Sequence, residues 1–102
     1  MTEDRYRGKP FLRLLDCYVL WAIGELDEQN EALLERTTPS LQRTYKTGGS
    51  WHEIVAAEMD FPDDLPGALS EMWRKNLELA QKTGATLDPA EFARLVTDKN
   101  LR

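Results

Sequence analysis

Between Pro10 and Leu26 the apolar residues Phe11, Leu14, Leu15, Tyr18, Trp21, Ala22 and Leu26 recur at three and four, the helical period. A second set, Leu12, Val19 and Ile23, widens this face well beyond the single stripe of a surface helix. Only Arg13, Asp16 and Gly24 mark an exposed line. The pattern predicts a central, strongly apolar first helix from Phe11 to Ile23, ended by Gly24, that is either wrapped by the rest of the chain or met by a second copy. Two of the remaining helices are very short, which makes complete enclosure difficult, so a homodimer is expected with Leu20 and Trp21 at its interface. Leu20 lies on the Arg13, Asp16 and Gly24 side, where an apolar residue has no other reason to be.

A shorter acidic helix is expected from Glu28 to about Arg36, with Ala32, Leu33 and Leu34 apolar. Thr38 followed by Pro39 then places a hydroxyl at a cap and proline at the first helical position, where its missing N–H costs nothing, so a separate helix is expected from there to about Tyr45. After the break Thr47-Gly48-Gly49, Ser50 and Glu53 form an S-x-x-E capping box. The helix it opens buries Trp51, Ile54, Val55 and Met59. Leu65, Leu69, Met72, Trp73, Leu77 and Ala80 trace one face of a long helix ending near Lys82, with Gly84 placed to turn left-handed beyond it. In TLDPAEF, Asp88 is the cap, Pro89 the first helical residue, Glu91 the third position of a box, and Leu87 and Phe92 a hydrophobic staple. Phe92, Leu95 and Val96 face the core before the polar end TDKNLR. No segment alternates as a strand does. The fold class expected is all-α, one compact domain of five or six helices over residues 10–102, preceded by a flexible polar arm at 1–9.

Composition narrows the function. The 102 residues are enough to close one core and not two. The net charge of -5 leaves no basic surface for phosphates to bind, so nucleic acid is not expected as a partner; Arg5, Arg7 and Lys9 sit beside Glu3 and Asp4. The apolar segment Phe11 to Ile23 carries Arg13 and Asp16 and falls well short of the ~20 residues that cross a bilayer, so no membrane partner is expected. MTEDRYRGKP lacks the form of a signal peptide, and the lone Cys17 fits a reducing compartment. Both place the protein in the cytoplasm.

The stretch EMDFPDDLPGALSE is the densest candidate for chemistry, with Glu58, Asp60, Asp63 and Asp64. A calcium loop alternates oxygen ligands around a glycine turn, whereas Phe61 and Pro62 occupy the middle here. Asp63 or Asp64 is expected as a helix cap, with the other complementing the helix dipole. Asp60 is left over, on the unfavourable side of the preceding dipole. A metal on Asp60, Asp63 and Asp64 is thus the weaker alternative, and no cofactor is expected. Counting back from Glu91 as the twelfth position of an EF-hand puts Ala80, Lys82 and Gly84 where ligands are required, which excludes that motif. His52-Glu53 begins H-E-x-x-H, but Ala56 takes the second histidine's place. Cys17 lies between Asp16 and Tyr18 on an apolar helix and reads as an inert thiol. Trp21, Trp51 and Trp73 each read as core, with a ligand box between helices as the sharper alternative. His52 reads as solvent-facing.

A domain with no catalytic set and an acidic surface is suited to protein–protein contact, where it covers a basic site on a partner. The function expected is therefore that of a non-enzymatic small acidic helical protein acting through protein–protein interaction, with self-association. The alternatives are a small enzyme or cation-binding protein using Glu58, Asp60, Asp63 and Asp64 with His52, and a small-molecule sensor with a pocket near the tryptophans.

Overall fold

The computed structural model describes residues 6–101. The first helix, α1 (Pro10–Ala22), has proline at its start, where no amide is needed, and closes through Gly24, whose N–H reaches Trp21 O at 3.1 Å. Four helices follow: α2 (Glu28–Tyr45), α3 (Trp51–Met59), α4 (Leu65–Thr83) and α5 (Pro89–Val96), which runs directly into a π-helical turn at Thr97–Leu101. There is no strand among the described residues. The architecture is all-α, and α1 packs against α3, α4, α5 and the π turn, while α2 packs against α3.

The core lies around α1. Leu15, Tyr18, Val19 and Ile23 meet Trp51 and Val55 of α3, Leu69 and Trp73 of α4, and Phe92 and Val96 of α5 in one apolar cluster. The long helices contribute thin stripes to it. In α4 only Leu69, Trp73 and Ala80 are buried, so Met72 and Leu77, expected on the core face, are exposed on its flanks. In α5 the buried residues are Phe92, Ala93 and Val96, and Leu95 points out. Gly84 closes α4 at φ 74°, the left-handed conformation expected of it.

Three local expectations are corrected. Thr38 and Pro39 do not start a helix: α2 continues through them for 18 residues. Leu34 is buried and Leu41, two turns on, packs on the same core, so breaking the helix would cost one of these contacts. The Thr37 and Thr38 hydroxyls donate back to Leu33 O and Leu34 O at 2.7 and 2.9 Å, which supplies side-chain hydrogen bonds in the turn that proline interrupts. Asp16 is not on an exposed line. It is 3% exposed and accepts the Tyr6 hydroxyl at 2.7 Å. The third is the polar end: Thr97 and Leu101 are buried, because the π turn folds the chain back onto α1.

Of the arm expected at 1–9, residues 1–5 lie outside the described residues, as does residue 102 at the other end. Tyr6 to Lys9 form a turn in which Lys9 N–H donates to Tyr6 O at 2.9 Å. No described helix is long and apolar enough to cross a membrane.

Candidate functional site

The start of α3 is held by side chains on both sides of its first turn. Ser50 N–H donates to Glu53 Oε1 at 2.9 Å and Ser50 Oγ accepts from Glu53 N–H at 3.4 Å, the capping box expected from the sequence. Gly49 precedes it at φ 100°, and a Cβ there would come within 3.3 Å of Glu53 Oε1, so the box needs glycine at this position. The Ser50 hydroxyl donates its own proton to Glu53 Oε1 at 2.9 Å. Its oxygen, 3.1 Å from His52 Nε2, is then the acceptor for an Nε2–H, which leaves Nδ1 as the acceptor of the imidazole. Burial pushes the His52 pKa below its ordinary value, only partly opposed by the Glu53 charge, so the ring is neutral at pH 7.

This fixed His52 ring lies flat on Trp21 of α1, with centroids 3.9 Å apart and planes 14° from parallel. Trp51 meets both edgewise, 6.3 Å from Trp21 and 5.5 Å from His52. Opposite them α2 presents Glu31, Glu35 and Thr38, spaced i, i+4, i+7 on one face. Together with Ser50 these residues line an open cleft of about 320 Å³. The same Trp21 and His52 also border a second cleft of about 270 Å³, lined by Tyr18, Phe61, Glu53 and Asp63 among others. The stacked pair is therefore a partition between two openings. Among the described residues, no lysine or arginine lines either one.

No known family, curated protein or solved structure matches this chain. The chemistry of the site is accordingly read from its own side chains. The Trp21 ring and a neutral imidazole offer π surface, backed by the buried Trp51, and Glu31 and Glu35 offer negative charge one helical turn apart. The arrangement suits binding of a group that is both cationic and partly apolar.

The other residues singled out in the sequence lie elsewhere. Leu20 is half-buried at a separate cleft of about 290 Å³ that it shares with Leu26, Asp27 and Asp88. Asp60 closes α3 in the left-handed conformation and Asp64 sits at the N-cap of α4. Asp64 accepts no capping bond there: its backbone, at φ -89° and ψ 3°, is not the extended one of a working cap, and Pro66 removes an amide from the first turn. Asp63 borders the second aromatic cleft. No group of three or more His, Cys, Asp or Glu side chains among the described residues is placed to hold a metal. Cys17 is buried, and loss of solvent pushes its thiol up to about 11, the Arg13 charge opposing only in part. That thiol stays protonated and unreactive at neutral pH.

Trp51 and Trp73 are core residues as expected, Trp73 packing on Phe92 at 5.1 Å. Trp21 packs against the core but is only partly buried, and His52, expected to face solvent, is partly buried too, because the two rings cover each other. Glu31 and Glu35 fall within the acidic helix expected from Glu28 to Arg36, and the break expected before Thr38 hid only their alignment with Thr38. A continuous α2 would have put all three residues on one face.

Proposed function

We propose that the protein acts by binding and not by catalysis, and that the cleft bounded by Trp21, Trp51 and His52 is its ligand site. The observation that carries this reading is the Trp21–His52 stack. A tryptophan in a small domain is ordinarily spent on the core, whereas this one stands between two openings with its partner ring held by a capping box. A cleft of about 320 Å³ also falls within the usual range for small-ligand sites. The lone buried thiol accords with a reducing compartment, and we place the protein in the cytoplasm.

Tryptophan emission tests the reading, since Trp21 reports directly on the cleft. Titration with a library of small metabolites is expected to give saturable changes for a subset, and Trp21→Leu, checked for helical circular dichroism, is expected to abolish them. Binding that survives Trp21→Leu in a folded variant would place the site elsewhere.

Self-association is a second reading, favoured by a separate observation. Met72, Leu79 and Leu95 are large apolar side chains left 41%, 59% and 51% exposed on α4 and α5. A protein partner, including a second copy, is suited to cover them.

A further inference from the structure

We infer that the ligand of the Trp21, Trp51 and His52 cleft is a small organic ammonium ion, an inference that rests on that cleft being the binding site. The charge of the surroundings selects the sign. Glu31 and Glu35 stand at the cleft, and no lysine or arginine among the described residues lines it. The N-terminus of α3, which would otherwise attract an anion, is already filled by its own carboxylate: Glu53 accepts the Ser50 amide, a bond that holds its carboxyl below the usual range and keeps it ionised. His52 is neutral and does not repel a cation. Pro39 has no amide to offer the carbonyl of Glu35, so the wall residue that carries the charge also has a helix carbonyl without its ordinary partner.

The aromatic walls select the kind of cation. A hydrated metal ion gains little from indole and loses water to reach it, and the described residues gather no set of ligands for one. An alkylated ammonium is weakly hydrated, spreads its charge over C–H groups, and is attracted by the ring quadrupole to an aromatic face that the Trp21–His52 stack leaves uncovered. The exposed carboxylates then supply the longer-range attraction, and the cleft has room for the carbon chain as well as the charged head.

Choline and its neutral isostere 3,3-dimethyl-1-butanol separate charge from shape, because carbon replaces nitrogen and nothing else changes in the head group. Propylammonium extends the series to a primary amine. Isothermal titration calorimetry with tryptophan emission is expected to show saturable binding of at least one ammonium ion, with the alcohol at least roughly tenfold weaker. The double variant Glu31→Gln, Glu35→Gln changes exposed residues only, and is expected to weaken the ammonium ion roughly tenfold while leaving the alcohol unchanged. Equal affinity for choline and the alcohol would overturn the cation assignment and leave the cleft as a binding site. Failure of both ammonium ions to bind at millimolar concentration would overturn it too, and the metabolite titration would then decide separately whether the cleft binds anything else.

Discussion

Asp60 shows how one residue can carry two costs for reasons that lie at different distances along the chain. Its charge at the C-terminal end of α3 meets the negative pole of the helix, which the sequence makes plain. Its backbone is left-handed, at φ 55° and ψ 45°, which the sequence does not. That conformation follows from what comes next: Phe61 N–H reaches back to Ala56 O at 2.9 Å, and the Phe61 ring packs on Tyr18 at 5.1 Å. The contact pulls the chain into a Schellman-type close. Sequence reasoning alone expects Asp60→Ala to be neutral or slightly stabilising. The left-handed backbone reverses the balance, since alanine tolerates that region less well than aspartate. Asp60→Gly removes both costs and is expected to stabilise by about 1 kcal/mol, with Asp60→Ala no better than the native residue. Urea midpoints check this, and a destabilised glycine variant would mean that the carboxylate has a partner worth more than both costs together.

At the scale of the element, α2 is the clearest case of packing overriding a local signal. Thr38-Pro39 has the form of a helix start, yet Leu34 and Leu41 both meet the core and hold the helix continuous across it. A proline inside a helix costs about 3 kcal/mol relative to alanine, partly offset by the stiffer unfolded chain. Pro39→Ala is therefore expected to raise stability by about 2 kcal/mol. If the carbonyl left free at Glu35 contributes to the cleft, the same variant binds the ammonium ligand more weakly. Thermal melting reads the first effect and titration the second, and a less stable Pro39→Ala would show that the helix is bent there to fit its neighbours. The local caps give the opposite lesson, although of the two boxes expected only that of Ser50 and Glu53 closes with both bonds. Ser50 and Glu53 pair as their spacing requires, and Asp88 caps α5 through the Ala90 amide at 3.1 Å, because these bonds close within one turn and need nothing from the rest of the fold.

For the whole molecule, the radius of gyration of 14.2 Å and extents of 46 × 32 × 25 Å describe an elongated body, larger than the ~13 Å radius usual for this length. The long helices α2 and α4 extend past the core and leave apolar residues uncovered. Met72 and Leu79 share a face of α4, and Leu95 of α5 borders the same small cleft as Asn76 between them. Size exclusion with light scattering is expected to give a dimer at micromolar concentration, reduced to a folded monomer by Leu79→Glu. Leu20→Glu is expected to lower the melting temperature instead, since Leu20 packs against the core and a new carboxylate there would face Asp27 and Asp88. A monomeric native protein across that range would sink self-association altogether.

The sequence by itself determined most of the helices and their ends, and many but not all of the residues that form the core, Met72, Leu77 and Leu95 being exposed. Helical periodicity, caps and glycine closes act over one to three turns and depend on neighbours in the chain, so Trp51, Trp73 and Phe92 could be assigned to the core before any fold was known. Only the tertiary structure decided which polar residues are buried and which aromatic residues are not. Asp16 is sheltered because Tyr6, ten residues away, supplies a hydroxyl. Trp21 is left at a cleft because His52, on another helix, covers one of its faces. Glu31 and Glu35 join them because α2 lies against α3. Those pairings depend on the mutual placement of whole helices, set by the summed packing of many side chains, and no local spacing records it.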